Sequence, residues 1–362
     1  MLDKSEWDVR LARHQRFWSG KTEGEGAYVA VTAPQAVMSL PPVAPEIKWL
    51  DTDYRVNALE AEMENTFYGG DALPHILADI GPGILPALLG RPFRLADNTI
   101  WFDIEPLETE HEIANLSLQT NGFFHGKLIE LTSRLCERGQ GRYLTGIADM
   151  GGGLDILAAL YQRENLLEDF VLDPHRITRL LRLVNGWWKE AVMEHERAIR
   201  KTQDRIISWV PIANKNSYYP LLSEFSAMIS PDSFKQVTLP SLCDDARIFD
   251  QVVSIVDGEN YIRHLPYIFE IEHLHAIEWI PSVKYMSSGI AQKNFAGEES
   301  IAACRTIQEH AKLILDGIPP EQVSVVMDQI SHDGVFLNVQ CKNVHDAGEF
   351  LAFAQKYIKG KP

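Results

Sequence analysis

A chain of 362 residues, 45% of them apolar, is long enough for one large α/β barrel or two smaller domains. Its formal net charge of −16 argues against a nucleic-acid partner, which needs a basic face. No run of roughly 18 apolar residues exists, so no membrane span is expected, and the charged segment 1–21 lacks the apolar core of a secretion signal. Cys136, Cys243, Cys304 and Cys341 lie far apart with no C-x-x-C pair, which fits reduced thiols in a cytoplasm.

In chain order, residues 7–18 read as an amphipathic helix with Trp7, Val9, Leu11, Phe17 and Trp18 as its apolar set. A strand follows at 27–34, a Pro-rich loop at 41–45 and a helix at 51–68. Residues 76–80 form a strand ending at Gly81-Pro82-Gly83, and 93–104 alternate like a hairpin around Asp97-Asn98. A helix at 121–138 leads to a strand at 143–150 that runs into Gly151-Gly152-Gly153. Helices are predicted at 154–170 and 174–201, and strands at 206–212 and 221–228. Ser230-Pro231-Asp232 starts another helix, with serine as N-cap and proline at the first position. Residues 251–281 read as one β-α-β unit whose strands end at Asp257-Gly258 and Pro281. Further strands are expected at 312–315 and 335–339.

The segments beginning at Ala27, Ile76, Tyr143, Leu221, Val252, Leu274, Lys312 and Val335 give eight strands, mostly separated by helices. Eight such units predict a single closed (β/α)8 barrel over residues 1–362, with a helical N-terminal extension over 1–26. The 93–104 hairpin and the 206–212 arm would decorate its mouth.

Chemistry in parallel α/β folds gathers at the C-terminal ends of strands. Asp79, Asp149, Glu224, Asp257, Glu278 and Asp316 fall near those ends. Such an acidic ring suits a cationic, hydroxylated or metal-bound ligand and repels a polycarboxylate. Asp257 is the strongest single candidate, as general base or metal ligand; its structural alternative is to cap the helix near Asn260. Trp101, Trp279 and Phe225, with Trp209, Tyr218 and Tyr219, are candidate aromatic walls for a flat ring or a quaternary ammonium. Together with Asp79, Trp101, Trp279 and Phe225 form the expected substrate-binding set. His273 and His275 flank the start of a strand, away from the chemistry, and read as structural, as does His264. Gly151-Gly152-Gly153 permits close backbone approach and anion binding at a helix N-terminus, but it is not a dinucleotide fingerprint.

Seven segments taken together resemble the uroporphyrinogen decarboxylase-like superfamily: Y-G-G-D-A-L-P at 68–74, D-I-G-P-G at 79–83, N-T-I-W-F at 98–102, A-D-M-G-G-G-L-D-I-L at 148–157, F-S-A-M-I-S-P-D-S-F at 225–234, L-P-S-L at 239–242 and V-D-G at 256–258. The resemblance runs from about residue 50 onward and is nearest to the methylcobalamin methyltransferase and trimethylamine corrinoid protein 2-like branch. It implies a (β/α)8 barrel with a deep cleft. Authentic uroporphyrinogen decarboxylases carry an arginine-rich loop after the first strand; residues 31–38, V-T-A-P-Q-A-V-M, hold no arginine. The methyltransferases bind zinc through a His-x-Cys after the fifth strand and a cysteine near the last. Ile255 and Asp257 stand at the first pair of positions, and only Cys341 matches. Zinc held by Cys341 and Asp257 is the metal expectation that follows.

The resemblance implies a corrinoid-linked methyltransferase with Asp257, Asp149 and Glu224 as its carboxylates. A corrinoid would arrive on a partner protein, because the chain lacks the D-x-H-x-x-G signature of cobalamin modules. One alternative is a decarboxylase acting on a porphyrin-like or other ring, with no bound cofactor and with Asp149 or Asp257 shuttling a proton. Another is a silent barrel that binds a small ligand or a corrinoid protein. The oligomeric state is left open, a homodimer included.

Overall fold

The computed structural model describes residues 2–19, 26–38, 40–102, 105–285 and 291–358. Seven of the eight expected strands are present where expected and the fourth lies just before its expected place: β1 (Tyr28–Pro34), β2 (His75–Leu77), β3 (Leu144–Gly146), β4 (Tyr218–Leu221), β5 (Gln251–Asp257), β6 (Leu274–Ile280), β7 (Lys312–Ile318) and β8 (Val335–Gln340). Their apolar runs are buried on both faces, as parallel strands between helices require. The fold is mixed α/β, with a parallel sheet and many helices.

The strands do not close into one cylinder, which corrects the expectation of a closed barrel. Among the described residues β1, β8, β7, β6, β5 and β4 lie side by side in one sheet, while β2 and β3 form a separate parallel pair. The cause lies at the free edge of β1. An antiparallel strand, Thr66–Gly70, occupies that edge, pairing Ala30 with Gly70 and Pro34 with Thr66. The helix predicted over 51–68 therefore stops at Glu64. Thr66, Phe67 and Tyr68 are β-branched or aromatic and pair better in a sheet. On the far side of β3, the Ile207 carbonyl accepts the Ile147 N–H at 2.9 Å. The 206–212 segment is not a regular strand; it holds a single antiparallel bridge from Ile206 to Asn214.

Two further boundaries differ. The helix expected at 154–170 breaks into Gly153–Leu160 and Arg163–Leu172, because Tyr161 is extended and bridges Leu107. The strand expected at 221–228 ends at Leu221, and Glu224–Met228 is a 3-10 turn. The hairpin at Arg94–Leu95 and Ile100–Trp101 is present; its predicted continuation through 103 and 104 lies outside the described residues, as do residues 20–25 of the N-terminal extension. A second hairpin, Val283–Tyr285 with Ala291–Lys293, was not anticipated.

The N-terminal helix, Lys4–Trp18, seals the end of the sheet where the strands begin. Phe17 is fully buried and packs edge-on against Tyr28 and Phe336. The Phe17 carbonyl accepts from His275 Nε2 at 3.0 Å and from Lys312 Nζ. Gln251 Nε2 donates to the Trp18 carbonyl at 2.8 Å, and Trp18 Nε1 donates to the Ala213 carbonyl at 3.1 Å. His14 accepts the Ala213 N–H on Nδ1 at 2.9 Å, which leaves Nε2–H to donate to the Asp71 carbonyl at 2.7 Å. One helix thereby satisfies polar groups from several strand starts while burying two large aromatics, each worth roughly 2–3 kcal/mol of burial.

Candidate functional site

At the opposite end, where the strands finish, a central cavity of about 340 Å³ is lined by Asp79, Asp149, Glu224, Glu278 and Asp316 together with Leu77, Trp209, Leu222, Ile255 and Ile280. A flanking cavity of about 440 Å³ shares Leu77, Asp79, Trp209 and Asp316 with it, and another of about 260 Å³ shares Asp149 and Glu224. The carboxyls come from different strands. Asp79 follows β2, Asp149 follows β3, Glu224 lies in the turn after β4, Glu278 is in β6 and Asp316 in β7.

Asp155, in the first turn of Gly153–Leu160, places Glu224: its carboxylate accepts the N–H groups of Glu224 at 2.9 Å and Phe225 at 2.8 Å. Asp149 accepts the Gly151 N–H at 2.7 Å. Burial pushes the Asp149 carboxyl up to about 6 against that hydrogen bond, and Asp79 and Glu224 add like-charge repulsion. Burial, then Asp257, raises Glu224. Burial raises Asp257 as well, opposed by Lys293. Glu278 and Asp316 are neighbours, and burial raises both.

Two oxygens in this wall have no hydrogen-bond partner: Asp79 Oδ1 and Glu278 Oε2. Glu278 is 3% exposed, so its orphaned oxygen is costly to the empty protein. Lys293, in the unanticipated hairpin, reaches the Asp316 carbonyl at 3.4 Å and lowers the proton affinity of Glu278, Asp316 and Asp257. Arg55 donates to the Asp79 carbonyl at 3.3 Å from the wall of the larger flanking cavity. Sequence reasoning did not single out Lys293, Asp155 or Arg55; Asp155 lies within the quoted segment 148–157 but was passed over there, and Lys293 and Arg55 lie in no strand end or motif that would have flagged them.

The other expected residues separate. Trp101 lies on the wall of the smaller flanking cavity, 44% exposed, with the Arg94 guanidinium 5.7 Å from its ring centroid. Trp279 lines none of these cavities: it is fully buried and donates from Nε1 to Ser300 Oγ at 2.7 Å. Side chains alternate along β6, so an inward Glu278 turns its neighbour Trp279 toward the helices. Phe225 also faces the core, stacked on Phe170 at 6.2 Å. Trp209 occupies the wall expected of both. Asp257 does not cap the turn after β5: Gly258, at φ 78°, is the N-cap, and no side chain bonds there.

Cys341 is buried behind β8 and lines none of the cavities described; its backbone N–H donates to the Thr32 carbonyl at 2.8 Å. Burial pushes its thiol up, and Asp346 and Glu321 push it further, the opposite of what a zinc thiolate needs. Among the described residues no group of three or more His, Cys, Asp or Glu side chains is arranged to hold a metal ion. The residues present do not fit the zinc site that Cys341 and Asp257 suggested.

The glycine triplet is a packing seam. A Cβ on Gly152 would lie 1.9 Å from the Leu222 carbonyl oxygen, and one on Gly153 would lie 2.1 Å from Asn185 Oδ1. His264 donates to the Ser226 carbonyl at 2.9 Å and stacks on Phe234, and His275 serves the N-terminal helix.

No family model matches the chain, and no curated protein does. Among solved structures, a methyltransferase from Methanosarcina mazei matches with a TM-score of 0.55 over 90% of this chain and 94% of that one, at 10% identity. At that identity the likeness is one of fold. No helix of the described residues is long and apolar enough to cross a membrane.

Proposed function

We propose that the protein is a methyltransferase-like enzyme that works on a small molecule in the acidic cleft, on an open version of the (β/α)8 barrel. The observation that carries the reading is a single cavity in which carboxyls from separate strand ends hold protons toward neutral pH, Asp149 up to about 6, beside orphaned oxygens of Asp79 and Glu278. The fold shared with a methyltransferase supports the choice of reaction, as does the resemblance in the sequence. Methyl transfer to or from a nitrogen or sulfur changes that atom's charge by one unit. Carboxylates beside it stabilise the more positive side of the step. In this reading the methyl carrier is a corrinoid on a partner protein. This chain's own residues bind the small molecule, and Asp149, with Glu224 next to it, takes or gives the proton.

A decarboxylase is the second reading, and Asp149 favours it too, since a carboxyl titrating near 6 can protonate a carbanion left by carbon dioxide. One experiment separates them. Purified protein is incubated with methylcobalamin and a panel of amines and thiols, and products are read by mass spectrometry. Methyl transfer predicts one methylated product whose rate of formation falls at least roughly tenfold in Asp149→Asn. Product formation no faster than without protein overturns the reading.

A further inference from the structure

We infer that the larger flanking cavity is a binding pocket in its own right for a neutral polyhydroxylated ring, a pyranose sugar or a cyclitol. The ring lies on the Trp209 indole, among Arg55, His75, Asn338 and Asp316. The pocket does not depend on which group is transferred in the central cavity.

It exists because the wall of strands is open. Among the described residues Thr66–Gly70 pairs only with β1 and β2 pairs only with β3, so a seam runs between them. The helix Thr52–Glu64 packs against both sides of that seam. Arg55, Leu59, Glu62 and Met63, on one face of the helix, line the same cavity of about 440 Å³ as Asp316 and Asn338 from inside the sheet. In a closed cylinder a layer of strands would separate the two sets. The volume falls in the roughly 300–1,000 Å³ range of small-molecule sites.

The polar groups facing the cavity are mixed in sign and keep unused hydrogen-bonding capacity. Arg55 lies 4.7 Å from the Trp49 ring centroid and donates Nη2 to the Asp79 carbonyl at 3.3 Å, while Nη1 has no protein partner among the described residues. Against burial, which disfavours both charges, Arg55 and the Asp79 carboxylate each favour the other's charged form. His75 donates Nδ1–H to the Leu73 carbonyl at 2.9 Å, which leaves Nε2 as an acceptor. Burial lowers the proton affinity of that imidazole, so it stays neutral. Asn338 donates Nδ2 to Asp316 Oδ1 at 2.5 Å and keeps its own Oδ1 as an acceptor. Trp209 is held edge-to-face on the fully buried Tyr219, at 5.2 Å and 87°.

This balance selects among ligands. An anion gains Arg55 but meets Asp79, Asp316 and Glu62 on the same wall. A cation gains little, because Arg55 answers Asp79 while Asn338 and Lys293 answer Asp316. An apolar ligand would leave Arg55 Nη1 and His75 Nε2 without water or partner. A hydroxyl both donates and accepts, so one ring hydroxyl can take the Arg55 N–H while another gives its proton to His75 Nε2. The C–H face of the ring then covers the indole, with Leu59, Leu73 and Leu77 at its edge.

The test is calorimetric binding on the full chain at about pH 7, where His75 is neutral and Arg55 charged. The probes are D-glucose, D-galactose and myo-inositol, with D-glucosamine and D-glucuronate as cationic and anionic counterparts. At least one neutral ring should bind with a Kd below about 1 mM, and both charged sugars at least roughly tenfold more weakly. Binding of a sugar but not of inositol assigns a pyranose, and the reverse a cyclitol. His75→Leu and Trp209→Leu should each weaken the bound probe by roughly tenfold, while His75→Gln and Trp209→Phe keep an acceptor and a ring face and retain most of the affinity. Circular dichroism of each variant checks its fold, and the wild-type preference for neutral over charged rings decides the matter if a leucine variant unfolds. No binding of any neutral ring, equal binding of a charged sugar, or binding indifferent to both His75→Leu and Trp209→Leu would overturn the inference.

Discussion

The two ends of the sheet are built on opposite terms. At the end where strands begin, the helix Lys4–Trp18 meets the carbonyls and N–H groups of its neighbours with matched donors and acceptors, and aromatic rings fill the space. At the end where strands finish, like charges crowd a cavity and two buried oxygens have no partner. Stability is concentrated in the first end and spent on the second. A carboxyl cluster that folding alone would not retain is what the proposed ligand site would leave in the empty protein.

Removing the aromatic plug should break the comparison most severely. Phe17→Ala leaves a cavity among Tyr28, Phe336 and His275 and should cost about 3–5 kcal/mol in chemical denaturation. A loss below about 1 kcal/mol would show that the helix is a dispensable appendage.

Acid sharpens the comparison because the two ends respond with opposite sign. Burial holds His14 down to about 4, so between its unfolded value of 6.5 and that point the unfolded chain binds the extra proton. His14 therefore costs about 2 kcal/mol of stability as pH falls from about 7 to about 5. Asp149 works the other way. Its folded value of about 6 lies above its unfolded value of 3.8, so the folded state binds the proton first and recovers stability over the same window. Denaturation measured across this range in wild type and Asp149→Asn separates the two.

The smallest expected effect is on Asp149 itself. Asp149→Asn keeps an acceptor for the Gly151 N–H and removes a buried charge, so it should stabilise the protein by about 1–2 kcal/mol near pH 8. It should also make stability fall more steeply on acidification than in wild type. A variant less stable than wild type at that pH would mean that Asp149 is held by a partner its ionised form requires.

Much of the framework was legible because apolar runs bounded by glycine or proline report parallel strands directly, and all of β1 to β8 but β4 fall on those runs; β4 ends at Leu221, where its run was expected to begin. Closure was not legible. It depends on which strand occupies the free edge of β1, and Thr66–Gly70 reads as the tail of a helix until its pairing with Ala30 and Pro34 is seen. The acidic residues were found by their position at strand ends. Which aromatic joins them was not, because a strand buried on both faces gives no sign of its parity: Glu278 points inward and carries Trp279 outward. Lys293 was invisible for a different reason, since a short hairpin brings it to Asp316 from outside the strand set.

The N-terminal helix also sets an order of events during synthesis. Its partners Gln251, His275 and Lys312 lie 233, 258 and 295 residues further along the chain. This helix is thus made long before its partners, and Phe17 and Trp18 stay uncovered until β5 to β8 have been made. Contacts this distant in sequence slow folding and leave apolar surface waiting. The charged flanks of that helix, from Lys4 to Arg16, keep it soluble through the wait.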